Sequence, residues 1–293
     1  MIDAHHHLWN LNAVDYPWLM EKGKKRFFGD PTPIQRDYLI DEHIKLTAAL
    51  GFKASVHIQV GAADGLEEAT WVNKIVNENQ SWPMVQVAFC DLSSDQRETQ
   101  LDELQKLSSV VGVRQIIGRS PAEDANSKTN ELLTSDNFMQ GLQSISDRGL
   151  SFDLQIIPEL SKTCAAVFSH FPDLKVILCH AGSPYNRSIK GISAWAEDLK
   201  HLSKLENVSC KLSGLGMFEH NWTETSVKPI AKTVINQFGP KRVMFGSNFP
   251  VDSLSSSFDD LYKRLNNIIG KKNSDDIFFQ TAQQTYFSKL SIS

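Results

Sequence analysis

Leu150–His180 reads LSFDLQIIPELSKTCAAVFSHFPDLKVILCH. Leu150–Ile157 is a short apolar run in which Phe152, Leu154 and Ile156 alternate with Asp153 and Gln155, the mark of a strand with two different faces. Leu160–His170 reads as an amphipathic helix, and Lys175–His180 returns to a strand. Strand, helix and strand in so short a span make a βα unit that feeds a parallel sheet.

The same unit recurs on both sides. Strands are predicted at Ile2–His7, Ala54–Val60, Met84–Cys90, Val110–Ile117, Asn207–Ser213 and Arg242–Ser247. Helical patterns lie at Asp41–Leu50, Gly65–Asn79, Asp95–Leu107, Asn137–Arg148, Ile192–Leu205 and Val227–Phe238. Ser257–Ile269 completes the count, and Asp275–Phe287 adds a C-terminal extra helix. Repeated βα units over 293 residues predict an α/β fold, a (β/α)8 TIM barrel forming a single domain over residues 1–293. The alternative is a doubly wound open sheet. No glycine-rich dinucleotide fingerprint follows the first strand and no Walker-type loop occurs, which removes the commonest reason for an open sheet.

Composition narrows the function. Hydrophobic residues make up 41% and charged residues 22%, enough for an ordinary buried core. A net charge of −4 leaves no electrostatic footprint for nucleic acid or a membrane surface. No apolar run is long enough for a membrane span, and MIDAHHHLWN lacks the basic start and apolar core of a signal peptide. Cys90, Cys164, Cys179 and Cys210 show no metal spacing and read as buried thiols of a reduced, cytoplasmic protein.

The polar residues then fall into a pattern. Strand alternation places Asp3, His5 and His7 on one face, Asp153 and Gln155 inward, and Val176, Leu178 and His180 inward. It also places Ser209, Lys211 and Ser213, then Met244, Gly246 and Asn248, inward, with Arg114 on the face of Gly112. His57 and Gln59 are ambiguous. Asp3 and Asp153 lie deeper and read as structural, while His43, His170, His201 and His220 read as solvated residues of helices or loops. Buried charges are costly unless they line a solvated site, and barrel enzymes work at the C-terminal strand ends. His7, Gln59, Arg114, Gln155, His180, Ser213 and Asn248 gather there. Each has a plainer reading: a run of solvated histidines, a satisfied core histidine, or Arg114 and Lys211 as partners of structural carboxylates.

At these residues the chain resembles a known group. DAHHHLWN (Asp3–Asn10), YPWL (Tyr16–Leu19), RDYL (Arg36–Leu39), FDLQI, VILCHAGSP (Val176–Pro184), VSCKLSGL (Val208–Leu215) and RVMFGSNFPVD (Arg242–Asp252) look like the amidohydrolase-related lactonases. That group includes sugar-lactone hydrolases such as L-fuconolactonase and L-rhamnonolactonase, and is similar to 2-pyrone-4,6-dicarboxylate lactonase. The resemblance implies that His5 and His7 are the paired histidines of the first strand and His180 that of the sixth. It implies that Arg114 and Lys211 line a substrate pocket, with Asp15–Trp18 as a wall and Trp18 against a ring.

One position departs from the wider superfamily. Where the last strand usually ends in an aspartate, this chain has Asn248, which cannot be a general base and is a weak metal ligand. Asp252, four residues on, is the nearest carboxylate. His5, His7 and His180 would be the ligands if one zinc binds; Arg114-Gln115 and Gln155 stand where a second metal would need a bridging residue and a histidine. The expectation is no required cofactor, or one zinc.

The function implied is hydrolysis of a small lactone, that of a sugar acid. Arg114 with His5 and His7 would stabilise the oxyanion, and His180 or Asp252 would activate water. Lys211 would orient the substrate or protonate the leaving hydroxyl, Asn248 would hold the water or a hydroxyl, and Gln155, Ser213 and Trp18 would contact hydroxyls and ring. Specificity is assigned to the loops Gly118–Thr134 and Tyr185–Ile189. The competing readings are a zinc-dependent decarboxylase of the same superfamily and a barrel that binds a small ligand without turning it over.

Overall fold

The computed structural model describes residues 1–288, 290 and 292; positions 289, 291 and 293 of the expected domain lie outside the described residues. Eight strands form one sheet in sequential order: β1 (Ile2–His6), β2 (Ala54–Ile58), β3 (Met84–Ala88), β4 (Val110–Val113), β5 (Ser151–Leu154), β6 (Val176–Leu178), β7 (Val208–Leu212) and β8 (Val243–Phe245). Every neighbouring pair is parallel. The sheet closes just past β8, where Asn248 N–H donates to His5 O at 2.7 Å and His7 N–H donates to Phe249 O at 2.8 Å. This is a (β/α)8 barrel, as the sequence predicts.

One helix follows each strand: α1 (Ile40–Thr47), α2 (Gly65–Glu78), α3 (Arg97–Gln105), α4 (Asp136–Asp147), α5 (Ser161–Phe168), α6 (Ile189–Ser203), α7 (Glu224–Phe238) and α8 (Phe258–Ile269). Local chemistry fixes their starts. Asp64, Ser135, Ser188, Thr223 and Ser257 each accept a first-turn N–H through the side chain.

Two apolar layers share the strands between them. Phe152, Leu154, Val176, Leu178, Leu212 and Phe245 pack outward in one layer with Phe138, Phe168, Leu199 and Val234 of the helices. Ile2, Ala4, Val56, Ile58, Val85, Val87, Ile177 and Met244 fill the barrel interior. The C-terminal helix Thr281–Tyr286 closes that interior with Ala282, Tyr286 and Phe287.

Three expectations about side-chain direction are corrected. The β1–β2 register shifts between Asp3 and His6, so one face does not carry Asp3, His5 and His7 together. Asp3 instead points to the helix side, near His43, while His7 lines the mouth and His5 is fully buried beside His7 and His180. In β6 it is Ile177 that joins the interior; Val176 and Leu178 face the helices. His43 is fully buried rather than solvated, stacked on His6 with ring centroids 3.9 Å apart, because it lies on the inner face of α1.

A buried ion pair sits above the barrel floor. Lys211 Nζ lies 2.6 Å from Asp153 Oδ2, and the Tyr286 hydroxyl donates to Asp153 Oδ1 at 2.7 Å. Removing one member of such a pair strands the other. Lys211→Met is therefore expected to destabilise the fold by about 3–5 kcal/mol, whereas Lys211→Met with Asp153→Leu recovers most of that loss. Urea unfolding midpoints of the two variants check this.

Candidate active site

The mouth of the barrel opens into a cavity of about 500 Å³, the size of a small-molecule site. Strand ends supply its polar wall: His7 after β1, Gln59 after β2, Arg114 after β4, Gln155 after β5, His180 after β6 and Asn248 after β8. Loops supply the rest, with Trp18, Phe27 and Phe28 from the β1–α1 connection and Phe89, Arg119, Leu132 and Met217 from others.

His180 reaches the wall by an unusual backbone path. Residues 180–183 all have left-handed φ, +55° at His180, +53° at Ala181, +67° at Gly182 and +53° at Ser183. Such a run costs about 1–2 kcal/mol per non-glycine residue, so surrounding bonds must hold it. Ser213 Oγ does so, accepting the His180 backbone N–H at 3.2 Å and lying 3.0 Å from Nδ1. Gly214 is required close by: a Cβ there would come within 2.5 Å of His180 Nδ1.

The three histidines form a cluster. The His5 ring lies 5.1 Å from His7 and 4.6 Å from His180, centroid to centroid. Burial, reinforced by Lys211 at His5 and by Arg114 at His7 and His180, pushes all three well below the ordinary histidine range. They are neutral. His7 donates from Nδ1 to Ile58 O at 2.7 Å, because a carbonyl only accepts, and so offers a lone pair at Nε2.

Asn248 bridges that lone pair to Asp252. Its Oδ1 is 3.3 Å from His7 Nε2 and its Nδ2 is 2.9 Å from Asp252 Oδ1. Turning the amide presents its NH2 to His7 and its oxygen to a protonated Asp252, which satisfies both contacts. Burial pushes the Asp252 carboxyl up to about 7.

Arg114 is the main charge in the wall. It is 4% exposed, with Nη1 donating to Gln155 Oε1 at 3.3 Å, Nη2 donating to Gln59 O, and Nε without a partner. Among the described residues no carboxylate forms an ion pair with it. A buried, unneutralised guanidinium needs an anion or a developing negative charge.

Other expected site residues stand elsewhere. Lys211 and Asp252 lie behind the cavity wall, Lys211 engaged by Asp153 and Asp252 covered by Asn248. Neither side chain lines the cavity. Ser213 acts on His180 rather than on the cavity. Of the two loops assigned to specificity, the first contributes Arg119, Thr129 and Leu132, but the second contributes no lining residue; Tyr185 instead bonds Glu159. His220, exposed as expected, also binds Phe28 O at 2.6 Å and ties two loops over the mouth. Sequence reading missed Arg26, Phe27 and Phe28; the RFF run at 26–28, beside the expected Trp18 wall, was the available signal.

A barrel with polar groups converging at its C-terminal mouth defines the enzyme class of strand-end barrels. The comparisons place it more narrowly. Residues 2–287 match the amidohydrolase family Amidohydro_2, and the chain belongs to that family. It is 32% identical to protein y4mH of Sinorhizobium fredii over 92% of this chain and 91% of that one. It is 26% identical to L-fucono-1,5-lactonase of Burkholderia multivorans over 89% of this chain and 85% of that one. A crystal structure of an amidohydrolase from Burkholderia multivorans, solved with bound zinc, superposes with a TM-score of 0.83 at 23% identity over 98% of both chains.

That zinc raises the question of fit. A catalytic zinc usually takes three protein ligands, and carboxylates help to offset its charge. Here the imidazoles are the only candidates, Asn248 supplies an amide, and the Arg114 guanidinium repels a cation. Among the described residues no group of three or more His, Cys, Asp or Glu side chains is set to hold a metal ion. His5, His7 and His180 would be the ligands of a zinc bound here.

The raised carboxyl of Asp252 gives a test. Between about pH 4 and about 7 the folded chain holds a proton that the unfolded chain releases. Stability from this group is full below that window and is lost as pH rises through it. Asp252→Asn removes the slope, so the variant is expected to gain on the wild type, by on the order of 2–4 kcal/mol, between about pH 4 and about pH 8. Denaturant midpoints at both pH values measure it.

Proposed function

We propose that this chain hydrolyses a small lactone, the lactone of a sugar acid, without a required metal. The observation that carries the reading is the pairing, in one cavity, of a neutral His180 with an unneutralised Arg114. Ester hydrolysis asks for those two groups: a base for water and a cation for the oxyanion.

In the proposed sequence the lactone carbonyl lies against Arg114. His180 Nδ1–H donates to Ser213 Oγ, leaving the Nε2 lone pair to take a proton from water as the water oxygen attacks the carbonyl carbon. The carbonyl electron pair becomes an oxyanion held by Arg114. Its growing charge neutralises the guanidinium that had depressed His180, so the base strengthens as the proton moves. The oxyanion then collapses, the ring C–O bond breaks, and His180 returns its proton to the departing alkoxide. Asn248 holds the water or a hydroxyl, and the product is a hydroxy acid. Trp18 offers a flat face to the ring, and Gln155 serves Arg114 and the substrate. The relative named L-fucono-1,5-lactonase supports the sugar-acid class.

A pH-indicator screen of aldonolactones and pyrone lactones with untagged protein tests this. Turnover is expected, and His180→Ala should lower kcat by about 10²–10⁴-fold. Tight lactone binding with no hydrolysis above background would instead make the barrel a binding protein. Arg114→Met should lower kcat/KM by about 10²–10³-fold.

Chelation separates the metal versions. Dialysis against a chelator is expected to leave turnover intact, with metal analysis in parallel. Loss restored by zinc would overturn the metal-free mechanism.

A further inference from the structure

We propose that Glu68, on α2 behind the cavity, is a positioning residue that clamps the ends of β1 and β2 and so places His7, Arg114 and Trp18. The inference rests on the lactonase reading for its kinetic arm only.

Three successive carbonyls at the end of β2 each hold one cavity residue. Ile58 O accepts from His7 Nδ1 at 2.7 Å, Gln59 O accepts from Arg114 Nη2, and Val60 O accepts from Trp18 Nε1 at 2.7 Å. The path of residues 58–60 therefore sets three parts of the site at once. Past Ile58 the ladder gives one more bond, Gln59 N–H to Val87 O at 2.9 Å, and residue 60 is left to a further restraint.

Glu68 supplies the missing restraint. Its Oε1 accepts the Val60 N–H at 3.0 Å and lies 3.6 Å from His57 Nε2. His57 Nδ1 accepts the Leu8 N–H at 3.1 Å, so the ring N–H is on Nε2, the nitrogen facing Glu68. Leu8 follows His7 in the chain. One carboxylate thus bonds the strand end beside Gln59 directly and faces, at 3.6 Å, the His57 ring that holds Leu8 beside His7. The side chain is only 1% exposed and shares its helix face with Ala69 and Val72, where packing alone would favour an apolar residue. Its charge also reaches the site: burial lowers Arg114, and Glu68 is among the charges pulling it back up.

Glu68→Ala, Glu68→Asp and Glu68→Gln separate positioning from simple stability. Glutamine keeps the oxygen that takes the Val60 N–H; aspartate is one methylene short. Expected are a loss in kcat/KM of about tenfold or more for the Ala and Asp variants and within about threefold for Gln, with the pH profile unchanged, since displacement of this order costs up to about 10²-fold. Amide hydrogen exchange at Leu8 and Val60 should quicken in the Ala and Asp variants and not in Gln. Folding is checked by circular dichroism, and if Glu68→Ala does not fold, Glu68→Asp decides. A folded Ala or Asp variant with wild-type kcat/KM and exchange overturns the clamp, as does a Gln variant that falls as far as Ala. If the wild type turns over no lactone, the lactonase reading fails by itself and exchange alone decides: quickened exchange supports the clamp, unchanged exchange overturns it.

Discussion

Asp3 holds the barrel shut, and the placement of His5 and His7 depends on it. Its buried carboxylate accepts the Ser247 N–H at 2.8 Å, the Ser247 hydroxyl at 2.6 Å and the His5 N–H at 3.2 Å. Those bonds join the first strand to the chain just past the last. Burial pushes the carboxyl up to about 6, and the same bonds hold it from rising further. The register shift in β1 lies between this anchor and His6. It puts Asp3 on the helix side and His7 at the mouth with His5 buried beside it, so closure and site assembly share one local irregularity.

Below the site and within it, charge is handled in opposite ways. Lys211, Asp153 and Tyr286 satisfy one another above the floor, with the Lys211 ammonium also 4.9 Å from the Tyr286 ring centroid. That cluster is closed and leaves nothing for a ligand. Arg114, higher up, has amide and carbonyl partners but no anion. A fold able to neutralise a buried lysine leaves a buried arginine positive at the point where the cavity begins. The electrostatic demand of the site is thereby directed at the substrate.

The fold was legible because βα periodicity repeats eight times, and each repeat reports independently on the same architecture. The strand-end residues were legible for a related reason, since polar groups in an apolar strand have few other places to be. Side-chain direction was less so. Alternation failed in β1, where a bulge resets the count, and in β6, where His180 owes its place to a left-handed turn rather than to strand parity. His43 was misplaced because a histidine on an amphipathic helix does not declare which face it occupies. Glu68 was invisible as a site feature, since its role arises from contacts between distant segments, and the RFF run showed only as aromatic residues beside the expected Trp18 wall.

Asn248 makes sense in this setting. An aspartate there would be a second carboxylate beside Asp252 and a counter-ion near Arg114, and each effect would weaken the other group's present role. The amide carries no charge, yet it can donate to His7 Nε2 while accepting from a protonated Asp252. The wall then holds neutral imidazoles and a guanidinium, Arg114, that no carboxylate pairs among the described residues, an arrangement suited to a reaction in which negative charge grows on an oxygen. A carboxylate base with a dication meets the same demand by the opposite distribution of charge. Asparagine thus fits a site whose positive charge is carried by Arg114.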